Sequence, residues 1–144
     1  MKYLLTLCVG NICRSPIAEL MFKQQFPDKT VWSAGLAALV GHPADRFSVN
    51  LAAAHGLDMS AHRAQQVTGL MCQTADIILV MEKGHKTELE KRYPLVRGKV
   101  FGIGDLGKFE VADPYGQSLS TFESAYSDIA CGVSDWAPRI RQLG

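Results

Sequence analysis

Short apolar runs along the chain alternate with stretches in which apolar residues recur every three to four positions. The runs are typical of buried strands and the longer period of amphipathic helices, so the alternation predicts a parallel sheet covered by helices. The predicted strands span residues 2–9, 30–34, 76–81 and 99–103. The predicted helices are one that begins at residues 15–16 and others over 44–55, 60–70, 82–93 and 118–143. Because proline disrupts a helix interior, we expect Pro138 to kink or shorten the last helix.

A length of 144 residues corresponds to one domain. We therefore predict an α/β protein with a single domain over residues 1–144, built on an open four-stranded parallel sheet flanked by helices. Sheets of this kind bind ligands in a crevice at the carboxyl ends of their strands. Cys8 lies at the predicted end of the first strand, so the segment that follows it is a candidate binding loop.

Charge and cysteine content narrow the possible partners and compartments. Fifteen Lys and Arg against 14 Asp and Glu give a formal net charge of +1, which argues against nucleic-acid or membrane-surface binding through bulk charge. Four scattered cysteines do not form a disulfide framework, which favours a reducing compartment. The apolar stretch 3–7 is shorter than the ~7 to 15 residues of an export signal, and no run approaches the ~20 residues that cross a bilayer. We expect a cytoplasmic protein without membrane insertion.

The segment CVGNICRS, residues 8–15, connects the first strand to the helix that begins at Pro16. A loop that wraps into a helix amino terminus points backbone N–H groups inward, and the helix dipole adds positive potential. Gly10 and Asn11 tolerate the left-handed dihedral angles that such a loop needs. The planar guanidinium of Arg14 can donate two parallel hydrogen bonds to two oxygens of a phosphate. The loop is therefore predicted to bind phosphate or a similar oxyanion.

Cys8 is the candidate nucleophile of this loop. The N–H groups and Arg14 favour the thiolate over the thiol, and a thiolate facing phosphorus is a nucleophile. Ser15 can donate a hydrogen bond that holds the thiolate and later stabilises it as a leaving group. A free cysteine at a strand end is more often simply a buried apolar residue. Here the glycine turn, Arg14 and Ser15 favour catalysis, because all three serve one mechanism.

The loop sequence CVGNICRSP closely resembles the signature of the low-molecular-weight protein tyrosine phosphatases. The resemblance runs through nearly the whole chain. It implies a flavodoxin-like four-stranded parallel sheet, a phosphocysteine intermediate, and no metal or other cofactor. The further segments that occur in the family's order are Ser33-Ala34-Gly35, residues 41–45, His62-Arg63-Ala64, residues 76–82 and Asp113-Pro114-Tyr115.

The resemblance also implies roles for individual residues. Asp113 falls on the family's general acid, which protonates the leaving phenolate and then activates water. Tyr115 corresponds to one wall of the substrate pocket and Leu39, or a neighbour, to the opposite wall, where eukaryotic relatives often carry an aromatic residue. The loop residues implied to bind the phosphoryl group, beside the catalytic Cys8 and Arg14, are Val9, Gly10, Asn11, Ile12, Cys13 and Ser15.

Several polar residues are implied to support the loop. Glu82, after the third strand, is interpreted as supporting rather than catalytic. Gln65 departs from an arginine common in the family, so we expect an ion pair of the relatives to be absent. The hydrogen-bond network that holds the loop in shape is implied to comprise Asn11, Ser15, Ser33 and His62. Four side chains show no metal-ligand spacing and are interpreted as surface or core residues: His42, His55, His85 and Cys72.

Residues 33–41 and 121–126 look like those of bacterial family members associated with capsule or exopolysaccharide export. Those members act on autophosphorylating tyrosine kinases with a tyrosine-rich tail, so the resemblance implies such a phosphotyrosine tail as the partner. Cys13 lies in the same loop as Cys8. We hypothesise that the two sulfur atoms form a reversible disulfide that protects the nucleophile from irreversible oxidation.

Three other functions fit parts of the sequence. An arsenate reductase of the same fold needs further cysteines within reach, but only Cys131 follows Cys72. An arginine phosphatase tends to carry threonine where Ile12 stands, and an apolar residue there favours a phenyl phosphate over a guanidinium. A non-enzymatic phosphocysteine carrier of a sugar-transport system must keep its phosphate, which Arg14 and Asp113 would work against. A protein tyrosine phosphatase is the favoured interpretation.

Overall fold

Four strands and five α-helices alternate along the chain in the computed structural model, which describes residues 1–144. The strands are β1 (Tyr3–Cys8), β2 (Thr30–Gly35), β3 (Ile77–Val80) and β4 (Val100–Gly102). The helices are α1 (Ser15–Gln25), α2 (Arg46–Ala54), α3 (Gly69–Thr74), α4 (Lys83–Arg92) and α5 (Leu119–Gln142), with a 3-10 turn at Pro94–Val96.

The four strands form one sheet in the order β2-β1-β3-β4, and every neighbouring pair is parallel. β1 is therefore an inner strand, with Cys8 opposite Gly35 of β2 and Leu4 opposite Ile77 of β3. The predicted α/β fold, an open four-stranded parallel sheet flanked by helices, is confirmed. Because the strands are parallel, the carboxyl ends of β1 and β3 lie at the same edge of the sheet, together with the loops that follow them.

Both faces of the sheet are buried, which explains why its strands are continuous apolar runs. Leu4 and Leu79 pack on one face in a cluster with residues of α1 and α5. Leu5 and Ile78, the neighbours of these residues along the strands, pack on the opposite face with residues of α3 and α4. All four side chains are fully buried. Thr6 is the polar exception in β1, and its hydroxyl donates to the carbonyl of Ser15 at 2.9 Å, tying the strand to the start of α1.

Asp76 fixes the beginning of β1 against the beginning of β3. Its Oδ2 atom accepts hydrogen bonds from the backbone N–H groups of Lys2 at 2.7 Å and Tyr3 at 2.8 Å. The backbone N–H of Asp76 donates in turn to the carbonyl of Tyr3 at 2.8 Å. The two bonds to the carboxylate lower the pKa of Asp76, because they stabilise its charged form.

The helix predicted over residues 60–70 is wrong. This segment forms turns and an isolated bridge between Gln66 and Gly35, and α3 begins only at Gly69. Its backbone groups bond to β2 instead of to one another: Gly35 donates to the carbonyl of Gln65 at 2.9 Å and accepts from Val67 at 3.0 Å. Tertiary pairing therefore overrides the local helical pattern, and the Thr68 side chain, which accepts from Met71, caps the helix that follows.

α5 continues past Pro138 to Gln142, so the proline does not shorten it. Pro138 lies on the exposed side of the helix, as does Ser134, the residue whose carbonyl would have bonded to residue 138. Water can therefore satisfy the carbonyl that the proline leaves unpaired. Although α5 has 24 residues, neither it nor any shorter helix combines the length and apolar character needed to cross a bilayer.

Candidate active site

The carbonyl groups of residues 8–13 all accept hydrogen bonds from outside the loop. The donors, at 2.7 to 3.1 Å, are Leu36 N, Ala37 N, Leu39 N, His62 Nε2, Asp45 N and Ser48 Oγ in the order of the carbonyls. The backbone N–H groups of residues 9–14 donate to no other protein atom. With the carbonyls bonded outward, these N–H groups face the middle of the loop. The loop is thus a cradle of donors for an anion, as the sequence predicts.

Asn11 is the residue of the loop that has a positive φ. Its φ is 58°, in the left-handed region, and its side chain is fully buried. The side-chain amide donates to Ser15 Oγ at 2.8 Å and to Ser33 Oγ at 3.0 Å, while Oδ1 accepts from the backbone N–H of Gln65 at 2.9 Å. Three side-chain bonds therefore hold the backbone in a conformation that few residues adopt.

Cys8 lies at the end of β1, where it is buried and beside Ser15. The Cys8 Sγ and Ser15 Oγ atoms are 3.0 Å apart. Ser15 Oγ accepts a hydrogen bond from Asn11, and its own hydrogen can be donated to the sulfur, since the other acceptor in reach, the Ala34 carbonyl, is farther away at 3.5 Å. The structure thus brings the predicted nucleophile and its predicted hydrogen-bond donor together.

The network behind the loop includes all the residues predicted for it and extends further. Ser33 donates to Oε1 of Glu19, and Oε2 of the same carboxylate pairs with Lys23 at 2.6 Å. Gln65, which stands where an arginine is common in the family, donates through Nε2 to the carbonyl of Ser33 at 2.9 Å. Gln65 therefore links the 60–68 segment to the loop through Asn11 and to β2 through Ser33.

Arg14 is almost completely buried, and one end of its guanidinium is fixed by protein. Nη1 donates to Glu82 Oε2 at 2.6 Å and to the carbonyl of Val111 at 2.8 Å. The other edge is free of close bonds: Nε has no hydrogen-bond partner, and Nη2 lies 3.9 Å from Asp113 Oδ2. That edge carries the two parallel N–H groups that bind two oxygens of a phosphate.

A cleft of about 220 Å³ lies over the loop. Leu39 and Tyr115 stand at its mouth and are 38% and 56% exposed. Both were predicted as walls, and the structure places both there. The cleft is lined by Cys8, Val9, Gly10, Ile12, Cys13, Arg14, Ala37, Leu39, Asp113 and Tyr115. A polar floor under largely apolar walls suits a ligand with an anionic end and an aromatic body.

Asp113 is exposed at the rim of the same cleft, on the connection between β4 and α5. Its Oδ1 atom accepts from the backbone N–H of Tyr115 at 3.0 Å, which closes a tight turn through Pro114. Asp113 is therefore close to the predicted nucleophile's cleft but belongs to a different loop, the position required of a group that exchanges protons with a leaving atom.

A profile of the family "Low molecular weight phosphotyrosine protein phosphatase" matches residues 3–143. The chain belongs to this family. The phosphatase is 48% identical to "Probable low molecular weight protein-tyrosine-phosphatase EpsP" of Ralstonia nicotianae, over 99% of each chain. The family and the enzyme class predicted from the sequence are confirmed.

Solved structures superpose on the phosphatase over nearly its whole length. Vibrio vulnificus Wzb in complex with benzylphosphonate gives a TM-score of 0.92 at 40% identity, covering 96% of this chain and 98% of that one. The tyrosine phosphatase Wzb from Escherichia coli K30 in complex with sulphate gives a TM-score of 0.93 at 34% identity, with coverage of 96% and 98%.

Two residues of the phosphatase's site make contacts that the sequence did not indicate. Glu82, interpreted only as supporting, binds Arg14 directly. His85, interpreted as a surface or core residue, is buried and lies 3.2 Å from the carboxylate of Glu82. The position of Glu82 after the third strand singled it out in the sequence, but nothing there linked it to Arg14. His85 stands three residues later, the spacing of a capping box, which points to the helix terminus but not to Arg14.

Cys13 shares the cleft of the phosphatase with Cys8 but differs from it in its hydrogen bonding. Burial is the main cause that raises the pKa of the Cys13 thiol, and the charge of Asp45 adds to it. No side chain of the protein donates a hydrogen bond to its sulfur, whereas Ser15 is placed to donate to Cys8. The two thiols of the loop therefore differ: Cys8 has a hydroxyl beside its sulfur, and burial favours the neutral form of Cys13.

Proposed function

We propose that Cys8 is the nucleophile of this phosphatase, that Arg14 binds the phosphoryl group, and that Asp113 is the general acid and base. The observation that carries the proposal is the loop itself: the N–H groups of residues 9–14 face inward around Cys8, and one guanidinium edge of Arg14 is free beside them. These donors stabilise the charge that develops on the phosphoryl oxygens during transfer.

In the first step, the Cys8 thiolate attacks the phosphorus of phosphotyrosine and forms a sulfur–phosphorus bond. The phosphorus–oxygen bond to the aryl ring breaks, and its electron pair goes to the phenolic oxygen. Asp113, protonated at the start, gives its proton to that oxygen, so that tyrosine leaves as a neutral phenol. Its place at the rim of the cleft supports this role, because the leaving oxygen points away from the loop.

In the second step, a water molecule attacks the phosphorus of the phosphocysteine. The Asp113 carboxylate takes one proton from the water, the sulfur–phosphorus bond breaks, and inorganic phosphate is released. The electron pair returns to sulfur, where the hydrogen bond from Ser15 stabilises the departing thiolate. The residues are then back in their starting protonation states.

The walls of the cleft support an aryl phosphate as the substrate. Ile12, Leu39 and Tyr115 offer apolar or aromatic surface to the ring of a phosphotyrosine, and Tyr115 can stack on it. Ile12 offers no hydrogen-bond acceptor to the guanidinium of a phosphoarginine substrate. We further propose that residues 1–144 form one phosphatase domain that acts in the cytoplasm on the tyrosine-rich tail of an autophosphorylating kinase of exopolysaccharide or capsule production. The relatives in whole-chain matches support this proposal.

Hydrolysis of a phosphotyrosine peptide by wild type and variants tests the assignments. Cys8→Ser is expected to abolish turnover while the peptide still binds, because the cradle remains. Asp113→Ala is expected to lower kcat severely for phosphotyrosine and much less for aryl phosphates whose leaving groups are already acidic, since these need no proton. Cys131→Ser is the matched control, because Cys131 is exposed on α5 far along the chain from the loop.

Full turnover by Cys8→Ser would overturn the proposal. If Asp113→Ala lowered kcat equally for good and poor leaving groups, Asp113 would not be the general acid. The assignment of Cys8 as the nucleophile would be unaffected. The partner is tested by comparing kcat/KM for a peptide from a phosphorylated kinase tail, a peptide of the same composition in scrambled order, and a phosphoarginine peptide. The tail is expected to be the best substrate and phosphoarginine the poorest, and the reverse order would contradict the proposed substrate.

A further inference from the structure

The guanidinium of Arg14 depends on a carboxylate that is itself partly open to solvent. Glu82 Oε2 is 2.6 Å from Arg14 Nη1, yet the side chain of Glu82 is 39% exposed, against 2% for Arg14. A glutamate at the surface can rotate into water, which solvates its charge well. Something must therefore keep the carboxylate turned towards Arg14 if the guanidinium is to keep a single orientation.

His85, on the first turn of α4, contacts Glu82 through both ring nitrogens. Nδ1 accepts a hydrogen bond from the backbone N–H of Glu82 at 3.3 Å, and Nε2 lies 3.2 Å from Glu82 Oε2. Since Nδ1 accepts, the ring proton is assigned to Nε2, the atom that faces the carboxylate at 3.2 Å. Burial, followed by the charge of Arg14, lowers the pKa of His85, so the ring keeps this neutral form at neutral pH.

We propose that His85 is a positioning residue for the phosphoryl-binding arginine: its Nε2–H holds the Glu82 carboxylate against Arg14 and so fixes the free edge of the guanidinium towards the loop. This inference rests on the proposed role of Arg14 in binding the phosphoryl group. Glu82 Oε2 accepts a hydrogen bond from Arg14 and lies 3.2 Å from His85 Nε2, so one carboxylate oxygen connects the arginine to the buried histidine.

His85 also has a structural role from which the positioning role must be separated. Its Nδ1 caps the first turn of α4, a role that glutamine and glutamate fill equally well at this position of a helix. The two substitutes differ in the atom that faces the Glu82 carboxylate. Glutamine offers an N–H donor there, as histidine does, whereas glutamate offers a second carboxylate that repels the first.

The test compares His85→Gln with His85→Glu by isothermal calorimetry with inorganic phosphate, which measures binding without turnover. His85→Gln is expected to bind phosphate within about threefold of wild type, and His85→Glu roughly tenfold or more weakly, because the repelled Glu82 releases Arg14. Thr87→Glu is the matched control for added charge, since Thr87 is exposed on the same helix. It is expected to bind phosphate as wild type does. Circular dichroism checks that each variant is folded.

Equal phosphate affinities of the two His85 variants would overturn the inference, whether both match wild type or both are weakened. A loss in Thr87→Glu as large as that in His85→Glu would also overturn it, because the effect would then be one of net charge. If His85→Glu does not fold, His85→Leu replaces it, lacks the donor, and is expected to bind several-fold more weakly than His85→Gln. Wild-type protein that binds phosphate but does not hydrolyse phosphotyrosine would refute the proposed function alone.

Discussion

Replacing Asn11 by alanine tests whether the side-chain network holds the loop in its bent form. The substitution removes three hydrogen bonds, to Ser15, Ser33 and the backbone of Gln65. At about 1 kcal/mol for each net bond, their loss costs about 3 kcal/mol. Alanine at a φ of 58° adds about 1 kcal/mol, because it lacks the short polar side chain that lets asparagine adopt the left-handed region. The expected loss in the free energy of unfolding is therefore about 4 kcal/mol.

Urea unfolding followed by the fluorescence of the two tryptophans measures this loss. Asn50→Ala is the matched control, because Asn50 is exposed in α2 and makes no side-chain hydrogen bond. It is expected to change stability by no more than about 0.5 kcal/mol. The value of kcat/KM for an aryl phosphate should fall in Asn11→Ala alone, since Ser15 is no longer oriented towards Cys8. A loss of less than about 1 kcal/mol, with kcat/KM unchanged, would refute the reasoning.

Two further predictions concern the stability of the fold around the site. Gly132→Ala is expected to destabilise the protein by about 1 to 3 kcal/mol in urea unfolding, because the new Cβ would lie 2.6 Å from the carbonyl oxygen of Ile103. Gly84→Ala on α4 meets no atom within 4 Å and is expected to stabilise by up to about 1 kcal/mol, so equal effects of the two would contradict the packing argument. Asp76→Asn is expected to cost about 1 kcal/mol at neutral pH, because the bonds from the N–H groups of residues 2–3 then lack a charged acceptor. The folded-state pKa of Asp76 is lowered, so its contribution is complete above the ordinary carboxyl pKa of about 4 and is lost as pH falls through the folded value. The difference in the free energy of unfolding between wild type and Asp76→Asn should therefore shrink as the pH falls. A difference that grows in acid would contradict the lowered pKa of Asp76.

The strands were the most predictable part of the fold. β1 and β3 are buried on both faces, so each residue of the run had to be apolar or internally bonded, and the pattern is visible locally. The segment 60–70 was unpredictable for the opposite reason. Its polar and apolar residues fit a helix, but Gln65 and Val67 bond to Gly35, 30 or more residues earlier. That pairing depends on where β2 lies, which no local pattern contains.

The active site, like the fold, could be predicted from the sequence only in part. Cys8, Arg14 and Ser15 belong to one short loop, so their joint chemistry could be predicted from their spacing. The link from Arg14 to Glu82 joins residues 68 positions apart and arises only when β1 and β3 become neighbours, whereas His85 follows Glu82 by three residues and reaches Arg14 only through it. Gln65 is a similar case: it replaces a charged residue of the family, and its actual bonds to Asn11 and Ser33 follow from the bridge at Gly35.

β1 is an inner strand of the sheet, so it is synthesised early but can pair on both sides only after β3 has been made. β1 leaves the ribosome early, but its partner β3 begins at Ile77, which at ~5 to 20 residues per second emerges roughly 4 to 15 seconds later. During that interval the sulfur of Cys8 has neither its ring of amides nor its cover of apolar side chains. Oxidants can therefore reach Cys8 more easily before the chain folds than afterwards, when its side chain is buried.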